Sequence, residues 1–267
     1  MRERTSVGAL AAAMVLTASV AFADRPLIID DADPVAFKTC KAEGGIYCVK
    51  DFGCKQLDFP VGADVGIFPG LEFDVNFGGL FEERTEIDQQ SGEQRTRSIS
   101  GIGDLILSAK WQFVGESTWL PRQAMVPAVK FPTADRHNEL GSGKTDYDLT
   151  WIASKSLCKQ MGAHINVGYS WIGEPAGEDV GDILHYGLAL DYRIMAPLQW
   201  VGEVFAEDEL RRGVNTLVMF NTGFRYSILD SLVADIAAGS HIAGDAPDLI
   251  ATAGLTWTFG FAQKENK

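Results

Sequence analysis

Almost every stretch of this chain beyond its first two dozen residues alternates. In "GDILHYGLALDYRIM" (residues 181–195), Leu184, Tyr186, Leu188, Leu190, Tyr192 and Ile194 occupy every second position, separated by His185, Gly187, Ala189, Asp191 and Arg193. That is a strand period of two, with apolar groups on one face and small or ionisable groups on the other. The pattern recurs in "LDFPVGADVGI", "LEFDVNF", "GDLILSAKWQF", "DYDLTWIA", "HINVGYSW", "WVGEVFAE", "VMFNTGFRY", "LVADIAAGSH" and "IATAGLTWTFGF". No stretch of comparable length keeps a helical period. After the first two dozen residues no apolar run approaches the roughly 20 residues a membrane helix needs. Two readings remain: a soluble sheet with its apolar face turned inward, or a closed barrel with that face turned to lipid. An open sheet in lipid would leave backbone groups unpaired.

The connections discriminate between them. "FPG" near Pro69, "LCKQMG" near Cys158, "MAPL" near Pro197 and "ILDS" near Asp230 are short. Residues 82–100, 134–144, 174–182, 208–215 and 243–247 are longer and polar, and residues 115–122 are intermediate. Short and long largely take turns along the chain, as they do in transmembrane barrels. Parity then requires one more strand before Leu57, and "GGIYCVK" (residues 44–50) supplies it. The expectation is an all-β, single transmembrane antiparallel barrel of about 12 strands, an even number as bacterial barrels require. Trp111, Trp151, Trp171, Trp200, Trp257, Tyr147, Tyr169, Tyr192 and Tyr226 lie on the apolar phase, many near strand ends, as interfacial rings would.

The opening "MRERTSVGALAAAMVLTASVAFADRP" has a basic start, a short apolar run and small residues at Ala21 and Ala23. It reads as a signal peptide cut after Ala23, which implies export to the bacterial outer membrane. The expected organisation is signal peptide 1–23, periplasmic segment 24–43, barrel 44–262 and periplasmic tail 263–267. The balance of 23 Lys and Arg against 36 Asp and Glu argues against nucleic acid as a partner. Membrane lipid and a small-molecule solute are the partners expected; protein partners are not specified by anything in the chain.

With "GIGDLILSAKWQF", "VKFPTADRHNELGSGKTDYDL", "ASKSL", "NVGYSWIGE", "YGLALDYRI" and "AGLTWTF" in order, the chain resembles the outer-membrane transporter family named for the meta-cleavage pathway of phenol degradation. The resemblance spans roughly residues 58–261. It implies a β-barrel channel or transporter for passive uptake of small, often apolar or aromatic, molecules. Two features depart from it: "AQKENK" follows the last strand, and three cysteines crowd the amino-terminal region.

If the polar phase faces the lumen, its candidates for lining a path are Glu72, Asp74, Asp104, Lys110, Lys130, Asp146, Asp148, His185, Asp191, Arg193, Glu203, Arg225 and Asp235. Asp58, Asp64, Glu207, His164 and His241 share that phase. Acids outnumber fixed bases, and charges in a confined lumen pair or protonate. One reading has the bases brace the interior; the other has unpaired acids repel anions and pass neutral or cationic solutes. The amino-terminal segment, 24–43, would gate or narrow that lumen.

No catalytic residue, cofactor or metal is expected. A lipid hydrolase needs a Ser–His pair with a third polar group. The inward-phase histidines have no well-placed serine within their own strands, though residues from different strands could still meet. "GSGKT" lacks the first glycine of a phosphate loop and is followed by a strand pattern. A barrel hydrolase and a non-transporting structural barrel are the alternatives. Cys40, Cys48, Cys54 and Cys158 suit disulfides in an exported chain, without the paired spacing of a metal site. The preferred connectivity is Cys48–Cys54 and Cys40–Cys158, the latter two sharing the periplasmic end.

Overall fold

The structure, a computed structural model, describes residues 25–51, 54–87, 94–175, 177, 179–211, 213–244 and 246–260. Alternation becomes strand throughout. The segments are β1 (Thr39–Asp51), β2 (Cys54–Phe68), β3 (Leu71–Ile87), β4 (Gln94–Ile102), β5 (Leu105–Val114), β6 (Arg122–Phe131) and β7 (Asp146–Cys158). They continue as β8 (Met161–Trp171), β9 (Ile183–Met195), β10 (Leu198–Glu209), β11 (Leu217–Leu229), β12 (Leu232–Ala243) and β13 (Leu249–Gly260). The expected signal peptide, Phe261 and the tail lie outside the described residues.

All pairings are antiparallel between neighbours, and β1 pairs with β13 from Thr39↔Gly260 to Lys50↔Leu249, so the sheet closes. β3 pairs with β5 through Leu71–Asn76 and with β4 through Gly79–Ile87. β4 and β5 are therefore two pieces of one wall strand, split at Gly103 and Asp104, and thirteen segments fill twelve places. A one-residue register shift there is a bulge; the Gly103 N–H still donates to the Gly78 carbonyl at 2.8 Å. The barrel begins at Thr39, five residues before the expected start, because the ladder to β2 and β13 already runs through Cys40 to Glu43.

Connection lengths largely sort by end, the two-residue step from Asp51 to Cys54 being the exception. Residues 69–70, 159–160, 196–197 and 230–231 make two-residue turns at the end where Thr39 and Gly260 meet, joined there by the longer turn 115–121. Residues 132–145, 172–182, 210–216 and 244–248 cross the opposite end.

The wall is inverted relative to a soluble sheet. Along β10, Val201, Glu203, Phe205, Glu207 and Glu209 are buried, while Val204 points out. Phe59, Val61, Phe73, Phe77, Ile165, Val167, Leu188, Phe220, Phe224, Ile236 and Leu255 are likewise exposed on the outside. So continuous an apolar belt is far beyond what a soluble monomer shows to water. It suits a bilayer, whose core demands a closed ladder. Trp111, Tyr192, Tyr226 and Trp257 ring the short-turn end of the outer surface, and Tyr147 faces Trp171 at the other. Among the described residues no helix is long and apolar enough to cross a membrane, and a strand-built wall needs none.

The cysteines do not bridge as expected. Cys40, Cys48 and Cys158 are unbridged. Cys40 stands beside Val65 and Phe259, whereas Cys158 ends β7 on the far wall. Sharing an end of the barrel does not bring two cysteines within the roughly 7 Å between Cα atoms that a disulfide tolerates. Cys48 is opposite Leu57, and Cys54, opposite Asp51, has a side chain outside the described residues.

Candidate functional site

Residues 25–38 carry no alternation, and they form no wall strand. They run as an extended strap inside the barrel, passing the wall in reverse order from β12 and β13 round to β2. Each step is held by a polar group from the inward phase.

At the start, the Arg25 guanidinium donates to Asp235 through Nε (3.2 Å) and Nη2 (3.3 Å) and to Thr252 Oγ1 at 2.8 Å. Only glycines at 45 and 254 leave room for it: a Cβ at either would sit 2.4 Å from a guanidinium nitrogen. Arg225 donates from Nε to the Arg25 carbonyl at 2.6 Å, and Asn221 from Nδ2 to the Pro26 carbonyl at 3.1 Å. Glu203 then accepts two consecutive backbone N–H groups, Ile28 at 2.9 Å and Ile29 at 2.7 Å, plus Asn221 at 3.0 Å. A carboxylate with three donors is well suited to burial.

Further on, Asp30 meets Lys110 at 2.8 Å, and Lys110 also meets Glu72 at 3.3 Å. The Ala32 N–H donates to Ser154 Oγ at 2.9 Å. Asp33 pairs with Arg122 at 2.6 Å, and Glu72 accepts the Val35 N–H. A parallel bridge from Phe37 to Gly66 delivers the chain into β1. Where this strap passes the turn 115–121, Arg122 and Lys155 converge on Glu116 at 3.4 and 3.2 Å. Slight desolvation pushes the Glu116 carboxyl up, but hydrogen bonds from the Ser156 N–H, the Ser156 hydroxyl and Lys155 outweigh it and hold it below the usual carboxylate range.

The strap is also glued by apolar contacts. Leu27 and Ile29 pack into a cluster of Val49, Ala189, Val201, Phe205, Leu217, Met219, Ala246 and Ile250, all buried inside the barrel. Ile29 lies across Gly187, where a Cβ would come within 2.4 Å of its Cδ1. The polar-phase reading of the sequence missed this inner seam. Phe205 and Ile250 each interrupt a charged or small phase singly, and Val49 and Met219 have only Tyr47 and Leu217 beside them on that phase, so no long periodic signal marks them.

The expected lumen residues take several different roles. Glu72, Lys110, Glu203, Arg225 and Asp235 hold the strap or its immediate partners. Lys130 pairs with Asp146 and, at 3.5 Å, with Asp104, which accepts the Ala134 N–H at 2.9 Å and so pins the loop 132–145. Asp148 accepts from Thr150, Ser170 and His185, each at 2.7 Å. Asp74 accepts from Ser108 at 3.1 Å. Arg193 is exposed near the short-turn end of β9, two residues before the turn that follows.

Asp191 belongs to a chain that neighbouring strands build and one strand could not. Ser154 Oγ lies 2.9 Å from His164 Nδ1, and His164 Nε2 lies 2.8 Å from Asp191, which also accepts from Gln199 at 2.7 Å. The composition is that of a hydrolytic triad, but Ser154 is 0% exposed and its oxygen receives the Ala32 N–H. With Ser154 donating to Nδ1, the ring proton sits on Nε2 and faces Asp191. The relay holds the strap's middle; a nucleophile would need an open approach. Among the described residues no group of His, Cys, Asp and Glu is arranged to hold a metal ion.

The model of a family described as "Putative MetA-pathway of phenol degradation" matches residues 23–259. An outer membrane channel from Pseudomonas putida F1 superposes with a TM-score of 0.68 at 12% identity, covering 86% of this chain and 98% of the other. The transport unit of the autotransporter AIDA-I from Escherichia coli gives 0.60 at 13% identity, with 97% and 100% covered. A monoaromatic hydrocarbon channel, CymD, gives 0.51 at 10% identity, with 86% and 90% covered. At these identities the likeness is one of fold. No curated protein matches the chain in sequence.

Proposed function

From the premise that the chain belongs to the MetA-pathway phenol-degradation family, we propose a passive channel of the bacterial outer membrane for small, apolar or aromatic molecules. The observation that carries it is the inverted wall: apolar residues outside, many ionisable residues inside, and a strap laid across the lumen. The channels from Pseudomonas putida F1 and of monoaromatic hydrocarbons share the architecture, which supports the solute class. In this reading residues 1–23 are the export signal, the short turns face the periplasm, and the loops 132–145 and 172–182 face outward. Solute moves down its own gradient in this reading, without ATP or a metal.

Inside, the bases brace the acids. Lys41 bridges Glu43 at 3.4 Å and Asp64 at 2.9 Å, and Lys110 and Lys130 each serve two carboxylates. The excess of acids then disfavours anions. A closed structural barrel is favoured by the same strap, and flux separates the two. Purified protein in liposomes is expected to pass small neutral solutes slowly, and a variant lacking residues 25–37 to pass them much faster. Absence of flux for every small polar and aromatic solute in both proteins would overturn the channel.

A further inference from the structure

A cavity of about 60 Å³ lies between the strap and the wall. Its apolar side is made by Ile28, Ile29, Val126, Ile152 and Phe205, and its polar side is mainly ionisable, with Lys41, Asp64, Glu72 and Lys110 beside Asp74 and Ser108. Asp74 is 6% exposed; one carboxylate oxygen accepts from Ser108, while the other, Oδ1, has no hydrogen-bond partner. A buried acceptor without a donor is costly, and its natural complement is an O–H or N–H. The space holds a few water molecules and is too small for a six-membered ring while Ile29 is in place. Ile28 and Ile29 are the apolar walls that belong to the strap and not to the barrel.

We propose that this cavity is a binding site for a neutral molecule with an apolar body of about one ring and a single hydrogen-bond donor. The donor pairs with Asp74 Oδ1, the body rests on Val126, Ile152 and Phe205, and Ile29 occupies part of the body's place until the strap shifts. Solute and strap therefore compete, so that binding loosens the element that narrows the lumen. The site rests on the channel reading for its purpose, and it narrows that reading from small apolar molecules to those carrying one donor.

The test uses the full chain in nanodiscs, with phenol and toluene as probes of equal size that differ in the donor, each corrected for partition into empty nanodiscs. Phenol is expected to bind about tenfold tighter than toluene, the worth of one buried hydrogen bond. Ile29→Ala is expected to tighten both about tenfold by removing the competitor. Asp74→Leu is expected to erase the preference, and Val126→Phe, which fills the cavity without touching Asp74, to abolish binding of both. Equal binding of the two probes by wild type and Ile29→Ala would overturn the site, as would wild-type affinity in Val126→Phe. Flux that persists while neither probe binds removes this site and leaves the channel; binding without flux keeps the site and removes the channel.

Discussion

Arg25→Ala is expected to release the strap and raise small-solute flux about a hundredfold. The guanidinium makes a two-pronged contact with Asp235 in a recess that Gly45 and Gly254 keep clear, and it also donates to Thr252. Breaking a buried charge pair by removing one partner costs about 3–5 kcal/mol, because the other charge is left uncompensated. Here the structure can relieve that charge only by admitting water, which means moving the strap away from Asp235. At about 1.4 kcal/mol per tenfold, the loss corresponds to two or three orders of magnitude in the released population. Flux reaches its ceiling once most molecules are open, hence the smaller figure. Liposome swelling measures it, with protease cleavage within residues 25–38 as the parallel readout. Unchanged flux together with an uncleaved strap would show that Arg25 does not anchor it.

The second large effect lies on the outer surface. Leu188 is 47% exposed on the lipid-facing phase of β9, and Leu188→Arg there is expected to cost about 2–4 kcal/mol of folding stability in a bilayer. Three positions earlier, His185→Arg sits on the inward phase, within reach of the carboxylate of Asp148, whose present partner His185 lies at 2.7 Å. That change is expected to cost less than about 1 kcal/mol, since the new charge has a partner and a wet lumen. Urea titration followed by heat-modifiable gel migration gives both values. Equal costs would mean that both faces of β9 meet the same medium.

Much of this architecture is legible in the sequence because a barrel wall is a repetition. Alternation identifies the strands, and the parity of connection lengths identifies the two ends. Even the need for a strand before Leu57 follows from parity, though its start at Thr39 does not, because Thr39 to Glu43 alternate only weakly. What escapes is whatever lacks a period. Residues 25–38 carry no period, so a narrowing of the lumen by the amino-terminal segment could be expected without any of its contacts, which reach residues up to 227 positions away, such as Thr252. The Ser154–His164–Asp191 chain is invisible for the same reason: it depends on which strands are neighbours and in what register. Cys40 and Cys158 show the limit from the other side. Parity placed them at one end, but only the order of strands round the wall places them on different sides of it.

Glu203 shows how a correct assignment of face can still miss the role. Its inward phase was readable, yet its partners are backbone N–H groups of Ile28 and Ile29 rather than the fixed bases of the lumen. Arg193, by contrast, has the inward phase at a height where the wall ends, which phase alone does not reveal.

The central claim is that the alternating faces of the wall meet lipid outside and water inside. Spin labels scanned along residues 184–193, in a chain whose native cysteines are serine, test it most directly through collision with oxygen, which favours lipid, and with a polar nickel chelate, which favours water. The account predicts oxygen dominance at 184, 186, 188, 190 and 192 and chelate dominance at 185, 191 and 193. Chelate access to the first set, or no alternation along the strand, would contradict it.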